Sequence, residues 1–544
     1  MRIDGGLWTF GALAAAVGWS AACGPALARS GDPLSAIDWL SESVTAPASG
    51  AVAPAGPGRL TAPPVQSGAA AAPAPDPDEP PVSAGGALPV LVATTPLDGP
   101  SPDAVGLIPP AVSGFPRDLW GVGLTVEVAQ AVTRDRMDSL PTLRQLFLTL
   151  LLAETAAPID SGGKGILLQA RVDKLLQLGA LEQAAALIDL ADQGDSPALF
   201  RRAFDVALLT GHEDRACERM TANPGLAPTL QARVFCLARS GEWDAAAVTL
   251  QTAEALGQVD HGQAALMARF LDPDPFEGEP VPPPPMPVTP LDWKMFEGIG
   301  EPLSTATLPV AFAYAEISPN FGWKAQIEAA ERLTAAGTIA PNVILGLYTE
   351  RMPSASGGVW DRVEAFQDFD AAFAARDKTR MAQTLPVVWA RMQEVELEVP
   401  FAMLYGAGLA QAELPGEAGK VAFRVGLLSP DFEAVAKAHA PADQTEAFLT
   451  ALATGRMQGV LPPDRMGRAI APAFLAPQPS GTAQALIDGD RLGEAILTAI
   501  DEIAGGVQGN LQGVTQGLSL LRMVRLDGMA RRTALELMLL ERRG

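Results

Sequence analysis

The chain has 544 residues, a formal net charge of -23 and a pI near 4.6. A single small domain is excluded at roughly 150 residues per domain, and the overall field disfavours polyanionic partners such as nucleic acid or acidic lipid. It is 48 % hydrophobic but only 6 % aromatic, and apolar character built on alanine suits close helix contacts better than a thick sheet core.

At the N-terminus, Arg2 precedes an apolar run from Leu7 to Ala22 and then Ala26-Leu27-Ala28. This pattern predicts a secretory signal peptide over 1–28, cleaved after Ala28, and a periplasmic or secreted mature chain. The run of about 16 residues is shorter than the roughly 20 that a spanning helix needs. No later stretch has 18 uninterrupted apolar residues, so no membrane span is expected in the mature chain. Residues 29–46 contain Ile37, Trp39, Leu40 and Val44, with Ile37, Leu40 and Val44 at helical spacing on one side and Asp38, Ser41 and Glu42 off it. They form a short amphipathic motif, with two readings: a partner-docking segment, or a spacer that folds back on its own domain.

From Pro47 to Pro110, sixteen of 64 residues are proline and Arg59 is the only basic residue. Such a composition buries too little apolar surface to offset backbone ordering, so 47–112 is predicted to be an extended, disordered linker. A first helical block follows over 113–272. Within it, Thr142 to Ala153 is apolar almost all round, as expected of a helix buried on several sides.

Three windows then align without gaps on Gly179, Gly211 and Gly241. Eleven residues before each glycine stand Leu168, Phe200 and Leu230; seven before, Val172, Phe204 and Val234; four before, Leu175, Ala207 and Leu237. Five after stand Ala184, Ala216 and Ala246. Apolar spacing of four and then three makes one helix stripe that ends at a glycine, where a left-handed residue costs least. The alanine lets a second helix approach closely. Each unit of about 30 residues is therefore a helix pair that buries its apolar face only by stacking on its neighbours.

These glycines and alanines resemble the tetratricopeptide-repeat family over about 165–257, although the period is shorter than that family's and its tryptophan and tyrosine positions are not filled. The resemblance implies a helical-hairpin solenoid whose surface binds proteins. The Ala/Pro-rich leader resembles those of secreted proteins of unknown function.

A second proline-rich stretch, 273–290, has nine prolines and predicts a stiff polyproline spacer. Beyond it, helical periodicity returns near 304–316, 323–337, 341–352, 359–376, 378–396, 416–428, 443–455 and 490–543, making 291–544 a second helical block. The fold class is thus all-α, a helical-hairpin solenoid in two blocks behind a disordered leader. From Gly505 onward there are six arginines against three acids, read either as internal pairing with the acidic body or as a docking patch.

No motif for metal, cofactor or catalysis emerges. His212, His261 and His439 are never four residues apart, and Ala216 stands where a zincin's second histidine would follow His212-Glu213. Ser161-Gly162-Gly163-Lys164 spells an acyl-enzyme motif, but its glycines imply a loop. Asp272, Asp274, Glu277 and Glu279 lie among prolines that keep a cation loop from wrapping. Cys217 and Cys236 are equidistant from the turn at 223–228, so they are either bridged or two separate buried thiols.

The function these features suggest is an exported scaffold or adaptor of the bacterial cell envelope. It would bind protein partners on its solenoid surface and through the tethered motif, with no cofactor and no nucleic acid. Candidate contacts are Ile37, Trp39, Leu40, Val44, Arg201, Arg202, Arg233, Arg239 and Trp243, since tryptophan and arginine are enriched in interface hot spots. The alternative is an envelope hydrolase or accessory subunit acting on cell-wall polymer through carboxylates such as Glu328, Glu331, Glu394, Glu396 and Glu398, brought together by the fold.

Overall fold

The structure, a computed structural model, describes residues 101–136, 139–191, 196–353 and 357–540. The expected signal peptide, the motif with Ile37, Trp39, Leu40 and Val44, and the linker as far as residue 100 lie outside the described residues. Among the described residues the fold is all-α with no strand; one isolated bridge pairs Ile108 with Ala153.

The first correction concerns residues 101–112, which composition assigned to the linker. They are packed: Asp103 is fully buried and accepts from the Leu168 amide at 2.8 Å, while the Leu107 and Ile108 amides donate to Leu152 O. Proline-rich composition concealed a segment whose backbone groups pair with another part of the chain. Helices α1 (Pro110–Ser113), α2 (Thr125–Thr133) and α3 (Pro141–Leu152) follow. In α3, Leu143, Leu146, Phe147, Leu148, Leu150, Leu151 and Leu152 are all buried, as its all-round apolar sequence required.

The three glycine windows are three hairpins: α4 (Ile166–Leu178) with α5 (Leu181–Ala191), α6 (Pro197–Thr210) with α7 (Glu213–Ala222), and α8 (Leu230–Arg239) with α9 (Trp243–Ala255). Gly179, Gly211 and Gly241 have φ of 78°, 76° and 81° and stand between the paired helices. Each hairpin closes with the same bond, the residue after the glycine donating to a carbonyl five back: Ala180 to Leu175, His212 to Ala207 and Glu242 to Leu237, all at 2.9 Å. This satisfies a carbonyl that the helix end would otherwise leave unpaired. Ala184, Ala216 and Ala246 are buried where the helices cross.

After α10 (His261–Leu271) and the spacer, the second run comprises α11 (Pro290–Gly298), α12 (Val310–Glu316), α13 (Trp323–Ala336), α14 (Pro341–Thr349), α15 (Val359–Ala374), α16 (Lys378–Gln393), α17 (Glu398–Ala412) and α18 (Gly416–Leu428). It ends with α19 (Phe432–Ala438), α20 (Gln444–Thr454), α21 (Arg465–Leu475), α22 (Gly481–Asp488), α23 (Leu492–Val507), α24 (Leu511–Met523) and α25 (Asp527–Leu539). The stretch 490–543, one periodic segment in the sequence, thus contains three helices. The hairpin closure continues here on Gly337, Gly455 and Gly509, and also without glycine: Arg376, Glu396, Asp490 and Arg525 take φ between 54° and 66°. In each case the next residue donates five back, Asp377 to Ala372, Leu397 to Met392, Arg491 to Leu486 and Leu526 to Leu521.

The two runs share a core. One apolar cluster extends from Ile108 to Leu540, and a second, within α6 to α11, runs from Phe200 to Phe296. Helix α11 packs on α6, α12 on α4 and α6, and α23 and α25 pack back on α3. The array therefore closes on its own beginning: the Gly493 amide donates to Leu119 O at 2.8 Å, and a Cβ on Gly493 would stand 2.6 Å from the Trp120 ring.

Candidate functional site

Helices α5, α6 and α7 enclose a groove of about 260 Å³. Phe200, Ala203, Ala207 and Thr210 recur along one face of α6 and form its floor, with Ile188 from α5. The floor is apolar because these positions also serve the hairpin packing; Phe200 and Ile188 are buried. His212, just before α7, and Arg215 and Arg219 within it line the rim, and Asp189 is the one acid in the lining. The Arg219 guanidinium lies over the Phe200 ring, 5.5 Å from its centroid, while Arg215 is exposed and has no ion-pair partner among the described residues. The Arg219 guanidinium thus covers the Phe200 end of the floor, and Arg215 stands one turn before it on the rim.

The sequence-derived contact residues divide differently. Arg202 is half-buried and holds Asp173 of α4 in a bidentate pair, both bonds 2.6 Å, which ties the first two hairpins together. Arg239 bonds Asp214 of the preceding hairpin at 2.5 Å and is likewise structural. Arg201 and Arg233 are exposed, and Trp243 is 49 % exposed at the first turn of α9. The face formed by α4, α6 and α8 is partly covered by the chain itself. Buried Gln231 donates to Asp292 of α11 at 2.8 Å, and Tyr314 of α12 donates to Glu182 of α5. Sequence reasoning missed the groove residues Phe200, Arg215 and Arg219 as a site; their only sequence signal is the i, i+4 arginine pair beside a repeat glycine.

Cys217 and Cys236 are joined by a disulfide, their Cα atoms 5.0 Å apart, with both residues buried in the second core. The equal distance of the two from the turn places them level in adjacent antiparallel helices α7 and α8. The C-terminal arginines pair internally: Arg522 with Asp527, and Arg531 with Glu433 and Asp527, while Arg531 and Arg532 also lie over the Phe432 ring. Arg532 donates to Pro430 O at 3.4 Å. The carboxylates weighed for an enzyme are committed locally. Glu328 pairs with Lys324 and Glu394 with Arg391, and buried Glu331 accepts from both Arg362 and Tyr348. Among the described residues no group of three or more His, Cys, Asp or Glu stands close enough to hold a metal.

On α6, beside Arg201 and Arg202, burial pushes the Asp205 carboxyl up to about 6, against the opposing pull of those two arginines. A carboxyl that holds its proton more tightly folded than unfolded weakens the fold as pH rises from about 4 through 6. Asp205→Asn is therefore expected to gain about 1 to 2 kcal/mol at pH 7, a figure already discounted for partial solvent screening, and nothing at pH 4. Urea titrations of both chains at the two pH values measure this; equal midpoint differences at pH 4 and pH 7 refute it.

Comparison with known proteins gives no match: no family model fits the chain, and neither a curated protein nor a solved structure is similar to it.

Proposed function

We propose that this chain is a protein-binding scaffold or adaptor exported to the bacterial cell envelope, a degenerate tetratricopeptide-like array whose repeat surface and N-terminal motif hold other proteins. The observation that carries this reading is the groove over Phe200, with an apolar floor and the Arg215 and Arg219 rim on a rigid hairpin stack. Helical hairpins position such grooves well because each is held by its neighbours on both sides. Export is supported by the leader pattern of residues 1–28 and by the buried Cys217–Cys236 disulfide, a bond that persists in oxidising compartments and is rare where thiols are kept reduced.

The test is chemical crosslinking and affinity capture from envelope fractions with the intact chain, the Arg215→Glu/Arg219→Glu variant, and a chain lacking residues 29–46. The expected result is a defined partner set that loses members when the groove charge is reversed, while helix content by circular dichroism stays unchanged. A partner set identical in all three chains overturns the reading.

A further inference from the structure

We infer that the proline run over 280–285, with Met286 beyond it, is a preformed ligand for a protein that presents an aromatic-lined groove with basic residues at one end. None of these residues lines the groove over Phe200, so the run is a second interaction surface that stands apart from that site. Three observations support it.

The first is conformation. Every residue from 281 to 285 is a proline or precedes one, and such residues are held to extended backbone angles. Their sum is a polyproline helix, with three residues per turn and no hydrogen bonds of its own. Burial follows that period. Pro282 and Pro285, three apart, are half-buried with Val281, while Pro283 and Pro284 are exposed, as are Met286 and Pro287 at the bend that ends the run. Met286 is 87 % exposed. Among the described residues, 281–287 neither give nor accept a hydrogen bond, so the backbone of the run stays open to a partner. Proline rings along the outward edges of such a helix seat between aromatic side chains, which is how these runs are recognised.

The second is anchoring. Buried side chains pin both ends: Arg269 of α10 donates to Pro280 O at 2.9 Å, and beyond the run Thr289 and Asp292 form the capping box that starts α11. Asp292 is held in turn by Gln231 at 2.8 Å. A run that is already extended and fixed at both ends loses little freedom when a partner closes on it. The third is charge. No lysine, arginine or histidine occurs from 270 to 293, while Asp272, Asp274, Glu277 and Glu279 are exposed just before the run. Glu279 lies 3.5 Å from Arg269 yet keeps 60 % of its side chain exposed. The exposed acids all precede the run, so the partner's basic residues belong at the end of its groove that receives Pro280, which sets the direction of binding.

Photocrosslinking tests this, with the full chain carrying benzoylphenylalanine in place of Met286 and mixed with envelope fractions. The expected result is an adduct mapped to a partner segment rich in aromatic residues, whose yield falls at least about fivefold with added decaproline and stays constant with a Gly/Ser peptide of equal length. Pro283→Ala/Pro284→Ala, which frees the backbone, is expected to lose the adduct by a similar factor, and Glu277→Lys/Glu279→Lys to weaken it. Helix content by circular dichroism should stay unchanged in both, since all four side chains are exposed. No adduct, an adduct indifferent to decaproline or to the lysine pair, or one that survives in the alanine chain each overturn the inference. Arg215→Glu/Arg219→Glu is expected to keep this adduct; its loss in that variant would move the partner to the groove and overturn the second surface, while leaving the adaptor reading standing.

Discussion

Replacing Arg171 by methionine is expected to cost about 3 to 5 kcal/mol of stability. The side chain is only 1 % exposed, yet it carries a charge. Its guanidinium donates to Leu151 O at 2.6 Å, Val105 O at 2.6 Å and Ala153 O at 3.1 Å. Two of those carbonyls form the C-terminal end of α3, which has no capping residue of its own. The third belongs to the segment before Ile108, so one side chain closes the end of the central helix and fastens the start of the fold to it. Methionine fills most of the volume but donates nothing, leaving these acceptors buried and unpaired. It also strips the counter-charge from buried Asp103, whose carboxyl burial already holds above its ordinary value. That carboxyl then rises further, so the variant's deficit is expected to shrink as pH falls, because a proton taken up in the folded state neutralises it. Hydrogen exchange of Leu143 to Leu152 should accelerate about a hundredfold or more, with a smaller acceleration for Glu536→Gln at the other end of α3. Unchanged exchange in the Arg171→Met chain would show that α3 is held by apolar burial alone.

Removing the disulfide is expected to cost about 3 kcal/mol, and to cost it locally. The bond closes a loop across the turn between α7 and α8, residues separated by 19 in sequence. Constraint of so short a loop acts mainly on the unfolded ensemble of that hairpin. Because α6 to α11 have their own apolar cluster, Phe200 to Phe296, the loss should appear in that lobe first. Cys217→Ala/Cys236→Ala is expected to raise exchange across 197–298 while helices α15 to α20 keep native rates. Thiol titration gives an independent check: of the three cysteines, only Cys23 should react in the denatured, unreduced full chain. Three reactive thiols, or equal destabilisation of both cores by the double substitution, would count against this account.

The hairpins show which parts of this fold are legible in sequence. The windows on Gly179, Gly211 and Gly241 are readable because glycine marks a left-handed turn without needing any context. The same closure at Arg376, Glu396, Asp490 and Arg525 is invisible, since a non-glycine residue in that conformation costs on the order of 1 kcal/mol and only packing on both sides offsets it. Past residue 257 the array mixes these with closures on Gly337, Gly455 and Gly509, so its repeat is only partly visible in the sequence. The candidate site is less legible. Of the arginines chosen on polar helix faces, Arg202 and Arg239 bind neighbouring hairpins, while the groove is lined by two that were not chosen, Arg215 and Arg219.

Composition, helical spacing and isolated glycines thus determined the all-α class, the hairpin unit and the level at which Cys217 and Cys236 meet. These are short-range properties, set by residues within about one or two turns of each other. Only the tertiary structure decided that the chain after the proline spacer returns to cover the first hairpins. It likewise decided that α3 is capped at one end by Arg171 and at the other by Glu536, whose carboxylate accepts from the Thr142 amide and hydroxyl across 394 residues of sequence. The physical reason is that α3 lacks capping residues, and its buried ends had to find partners wherever the closed array brought charge of the right sign against them.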